Sequence, residues 1–113
     1  MIHAVIWQNE REECVGFQIE GHAGYEEAGQ DIVCAAVSVL TINTINAIEQ
    51  YTKDDLSVIS DDEAGLISCH FAGSPSCGAD LLLKAMILGL SDLARDENYA
   101  TYIDLIFKEV QQP

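Results

Sequence analysis

Residues 2–8 alternate, with Ile2, Ala4 and Ile6 opposite His3, Val5 and Trp7. That pattern predicts a β-strand with one buried face. Residues 8–11 are a polar turn, and residues 13–20 alternate again with Val15, Phe17 and Ile19 on one face. The two segments predict a β-hairpin. Residues 21–30 then hold three glycines, Gly21, Gly24 and Gly29, which marks a loop.

Asp31 is placed to N-cap a helix running from Ile32 to about Gln50. From Ile32 to Leu40 this helix is apolar nearly all round apart from Ser38, which predicts the buried centre of the fold. Residues 56–60 and 65–72 predict a second hairpin around the turn at residues 61–65. In its second arm Ile67, Cys69 and Phe71 face one way, and Ser68 and His70 the other. Ser74 and Pro75 suit the cap and first position of a second helix reaching about Arg95. Residues 102–110 close the chain as a strand with Ile103, Leu105 and Phe107 inward. The order ββαββαβ predicts an α+β fold, a two-layer single domain over residues 1–113. Its two helices pack on a mostly antiparallel or mixed sheet.

Composition supports a packed core rather than disorder: 49% of the 113 residues are hydrophobic and 21% charged. No apolar run is read as long enough to span a bilayer, and the opening Met1-Ile2-His3-Ala4-Val5 has no signal-peptide pattern. A cytoplasmic protein is expected. Nineteen acidic residues against five Lys and Arg give a formal charge of −14. Such a surface repels nucleic-acid phosphates and attracts a basic partner.

The four cysteines, Cys14, Cys34, Cys69 and Cys77, form no C-x-x-C pair, which argues against a zinc ribbon or a thioredoxin-type centre. Cys34 stands apart. With Asp31 as cap it falls in the first helical turn, where free N–H groups and the helix dipole favour a thiolate and offer an oxyanion hole. His22, in the glycine-rich loop, is a residue type suited to take the thiol proton. Cys77 is a rival near the start of the second helix, with His70 or His22 as its possible base. Cys14, Cys69 and His3 fall in strands, where packing or surface roles are the default. Asp31 can cap the helix or orient His22. Ser38 lies one turn beyond Cys34 on the same face and can touch substrate or bond backward to a carbonyl. The acidic turn Asp61-Asp62-Glu63 reads as a solvated hairpin tip, or as a contact for a basic substrate or a cation.

Gly21-His22-Ala23-Gly24-Tyr25, Gly29 and then Asp31-Ile32-Val33-Cys34-Ala35-Ala36-Val37-Ser38 closely resemble the ribosomal-processing cysteine protease family Prp. The resemblance implies a catalytic dyad of His22 and Cys34, with support or substrate contact from Asp31 and Ser38. It also implies a mobile loop over residues 24–30 that closes on substrate. The implied substrate is a basic ribosomal protein, large-subunit ribosomal protein twenty-seven, carrying an N-terminal extension cleaved at an apolar, phenylalanine-containing site. The resemblance further implies a homodimer. No metal or organic cofactor, no direct nucleic acid binding and no membrane association are expected. Two other classes compete: a non-enzymatic acidic ribosome-assembly module that binds a basic ribosomal protein, and a thiol redox sensor lacking an evident resolving cysteine.

Overall fold

The computed structural model describes residues 1–21 and 28–111. Its elements are β1 (Ile2–Gln8), β2 (Cys14–Glu20), α1 (Ala28–Tyr51), β3 (Leu56–Asp61), β4 (Leu66–Phe71), α2 (Cys77–Arg95), a short 3-10 turn (Ala100–Tyr102) and β5 (Ile103–Glu109). The ββαββαβ order is as expected. The five strands form one mixed sheet in the order β3-β4-β2-β1-β5. Only the β1–β5 pair is parallel, because α2 carries the chain back across the sheet.

The alternation read from β1 holds. Ile2, Ala4 and Ile6 are buried, and they share a core with Phe17, Ile19, Cys69, Phe71 and Ile103. Burying each large side chain contributes roughly 1.5–3 kcal/mol. Phe107 shares this face by register with Ile6 but remains 47% exposed at the sheet edge. In β2 the expected partition shifts. The pairing slips between Trp7 and Gln8, so Cys14 rather than Val15 joins the core cluster beside Phe17. An extra residue on one strand turns every later side chain to the other face.

Three expectations about the helices are corrected. First, α1 starts at Ala28, so Asp31 lies inside its first turn and is not the N-cap. An acidic side chain is favourable there through the helix dipole. Second, α2 is capped by Ser76, whose hydroxyl accepts from the Ala79 N–H at 3.2 Å, and not by Ser74. Pro75 therefore precedes the cap. Third, α1 is not buried all round. Val33, Val37, Thr41, Ile45 and Ile48 are buried, whereas Ile32, Val39 and Ile42 are 52%, 68% and 47% exposed. The segment Asp31–Tyr51 is also, by length and composition, long and apolar enough to cross a membrane. In the structure this segment lies against the sheet and α2.

The buried hydroxyls of α1 are satisfied within the helix. Thr41 donates to the Val37 carbonyl at 2.8 Å and Thr44 to the Leu40 carbonyl at 2.6 Å. Where α1 and α2 meet, a Cβ on Gly89 would stand 3.0 Å from the Leu40 methyl carbons, so glycine lets the helices approach closely. β3 is largely exposed, and only Leu56 among its residues is partly covered.

Candidate active site

A groove of about 480 Å³ runs between α1 and the β3–β4 side of the sheet. Cys34, Val37, Ser38, Thr41, Ile42, Ile45 and Glu49 form its helical bank. Their spacing keeps them along one side of a helix with 3.6 residues per turn. Val58, Ser60, Asp61 and Asp62 form the opposite bank, and Ile19 and Ile67 lie between. The floor is apolar and the rim carries carboxylates.

Cys34 is half-buried and packs against the core while lining this groove. It is the seventh residue of α1, in the second turn, so the first-turn placement expected from an Asp31 cap is corrected. Helical side chains tilt toward the N-terminus, which keeps the free N–H groups of the first turn within reach of chemistry at this position. Ser38, exposed one turn later, lines the groove with it. Asp31 is exposed and does not line the groove. Gly29 lies in the first turn of α1.

Gly21 also lines the groove. Its φ is +129°, its N–H donates to the Gly65 carbonyl at 3.1 Å, and a Cβ would stand 2.4 Å from the Met1 carbonyl oxygen. Only glycine fits that combination of angle and space. His22 and Gly24 lie outside the described residues.

The other cysteines lie outside the groove. Burial pushes the Cys14 thiol up to about 11 and the Cys69 thiol up to about 12. Both are core residues. Cys77 is exposed at the first position of α2 and is not part of the groove. His70 lies on the opposite face of the sheet, stacked on Trp7 with ring centroids 4.8 Å apart, and its Nε2 is 3.0 Å from the Ser68 hydroxyl. His3 is exposed and pairs with Asp104 at 3.1 Å. Neither histidine faces Cys34. Among the described residues no group of three His, Cys, Asp or Glu could hold a metal ion.

The sequence reading missed most of the β3 bank. Val58 and Ser60 read simply as hairpin residues, since nothing local reveals that the hairpin lies across from α1. The acidic turn was visible, and Asp61 and Asp62 now stand on the rim.

The Cysteine protease Prp family model matches residues 1–104 of the chain. The ribosomal processing cysteine protease Prp of Staphylococcus aureus is 30% identical over 108 residues, spanning 96% of this chain and 100% of that protein. The protein of the same description from Bacillus subtilis is 30% identical over 100 residues, 85% of this chain and 89% of that one. Two crystal structures of the essential ribosomal processing protease Prp from S. aureus also superpose. The complex with a substrate peptide has a TM-score of 0.87 at 28% identity, covering 96% of this chain and 100% of that one. The complex with a covalently linked product peptide has a TM-score of 0.84 at 30% identity and the same coverage.

Proposed function

The chain belongs to the ribosomal-processing cysteine protease family Prp, and on that premise we propose that it removes the N-terminal extension of large-subunit ribosomal protein twenty-seven during ribosome biogenesis. The protein is a cysteine protease. The observation that carries the assignment of its nucleophile is the position of Cys34. It is a half-buried thiol opening into the apolar groove, whereas the thiols of Cys14 and Cys69 are buried and held protonated.

His22 accepts the Cys34 thiol proton, and the thiolate attacks the scissile carbonyl to form a tetrahedral oxyanion. N–H groups of the first turn of α1 hold that oxyanion. His22 then protonates the leaving amine, and water hydrolyses the thioester to free the enzyme. A covalent intermediate of this kind fits the covalently linked product peptide in the S. aureus protein. Gly21, Gly24 and Gly29 take supporting roles beside the dyad. Asp31 supports the start of α1, and Ser38 contacts substrate.

The reading extends to a single catalytic domain over residues 1–113, a homodimer in the cytoplasm, no direct binding of nucleic acid and no membrane association. An acidic enzyme of charge −14 suits a basic ribosomal substrate. Incubating the protein with the extended ribosomal protein, followed by mass spectrometry of the products, tests the activity. Cleavage that survives Cys34→Ala would show the nucleophile to be another residue, and Cys77 would be the next to replace.

A further inference from the structure

β3 is an edge strand, and its Val58, Ser60 and Asp61 line the groove. Every residue from Ser57 to Asp61 is exposed, including Val58 at 41% and Ile59 at 61%. Its pairing with β4 runs unbroken from Leu56↔Phe71 to Asp61↔Leu66, so no bulge disrupts the edge. Its sequence, Leu-Ser-Val-Ile-Ser-Asp, contains neither proline nor lysine. Sheet edges normally carry such features because unpaired N–H and C=O groups recruit other strands. β5, the opposite edge, has Asp104, Lys108 and Glu109 among its seven residues.

The rim charge identifies what this edge receives. Glu49, Asp61 and Asp62 surround the groove, and among the described residues none of them is in an ion pair. Among the described residues no lysine or arginine lines it. The occupant is therefore a basic polypeptide with apolar side chains. A second copy seated on this edge would bring a like-charged acidic rim against Glu49, Asp61 and Asp62, so a homodimer forms through another face.

We propose that the substrate docks as a sixth strand on the free edge of β3. Alternate side chains enter the groove leading to Cys34, and basic side chains flank them toward Glu49, Asp61 and Asp62. This rests on the protease reading and adds the mode of recognition to it. Main-chain pairing supplies affinity, and every second side chain supplies specificity.

The test uses Cys34→Ala protein and a peptide spanning the extension junction of the ribosomal protein, with each backbone nitrogen methylated in turn. Affinity should fall about five- to tenfold at alternate positions and stay near the parent value between them. Peptide addition should also slow hydrogen exchange of the β3 amides. The triple variant Glu49→Gln, Asp61→Asn, Asp62→Asn should slow association at low salt about tenfold and flatten its salt dependence. Losses with no two-residue period would overturn the strand pairing while leaving the protease reading intact, provided the parent protein cleaves the unmodified peptide. An association rate that the triple variant leaves unchanged would overturn the charge contribution. Concentration-dependent protection of β3 in the free protein would assign the edge to a second copy instead. A peptide neither bound nor cleaved would overturn the substrate reading and this inference together.

Discussion

Cys34 and Ser38 stand one helical turn apart on the same face of α1, and both line the groove that separates this helix from β3. Ser38 is exposed, so changing it leaves the core intact. Ser38→Val should lower kcat/KM about tenfold, equivalent to ~1.4 kcal/mol of transition-state stabilisation. The melting temperature should move little. Parent-like kinetics in Ser38→Val would remove Ser38 from the substrate contacts.

The four thiols should separate in a limited alkylation experiment. At pH 8 a thiol near 11 is ionised to about one part in a thousand, and one near 12 to about one in ten thousand. Iodoacetamide should thus spare Cys14 and Cys69 in the native protein, where burial also blocks access. Cys77 and Cys34 should react first. Peptide mass spectrometry reads the order, and early labelling of Cys69 would contradict the packing described.

Asp54 and Ser76 tie the α1–β3 connection to the start of α2. The Ser76 N–H donates to Asp54 Oδ2 at 2.8 Å, and the Ser76 hydroxyl donates to Asp54 Oδ1. Partial desolvation opposes the charge of Asp54, but these bonds outweigh it and hold its carboxyl below the usual aspartate range. A depressed carboxylate contributes stability above the unfolded value of about 4, and that contribution fades as pH falls through the folded value. Ser76→Ala should cost about 1 kcal/mol at pH 7 through the lost cap. Urea unfolding at pH 7 and pH 3 should show the gap between parent and Ser76→Ala narrowing in acid. A constant gap would mean that the carboxylate adds nothing to the cap.

Gly21→Ala should be costly because the residue has φ +129° and its Cβ would meet the Met1 carbonyl oxygen at 2.4 Å. A loss of about 2 kcal/mol is expected from strain alone. The residue also precedes His22, so turnover should fall further than stability. A Gly21→Ala protein that unfolds like the parent in urea would show that β1 and β2 relax around the new methyl group.

Strand alternation carried much of the fold. Ile2, Ala4 and Ile6 in β1, and Ile67, Cys69 and Phe71 in β4, take the inward positions their period of two implies. What failed was local information that had two equivalent solutions. Ser74 and Ser76 are both good caps on either side of Pro75, and the tether to Asp54 selects Ser76. Asp31 looks like a cap because Gly29 weakens helix propensity, yet α1 extends back to Ala28. The uniform apolar run at Ile32–Leu40 hid which side of α1 faces the core, since a helix with no polar face gives no phase. In the candidate site, the spacing of Cys34 and Ser38 already puts both on one face of α1, where they line the groove. The β3 bank was not legible, because a strand meeting a helix more than ten residues away in sequence leaves no local mark.

Cys34, at the groove between α1 and β3, is proposed as the nucleophile of a ribosomal-protein-processing protease. The most direct measurement is incubation of the purified protein and its Cys34→Ala variant with the N-terminally extended ribosomal protein, read by intact-mass spectrometry. A single cut by the parent that leaves the mature N-terminus is expected, with no cut by Cys34→Ala. Binding by both proteins without cleavage by either would contradict it and favour an acidic assembly module instead.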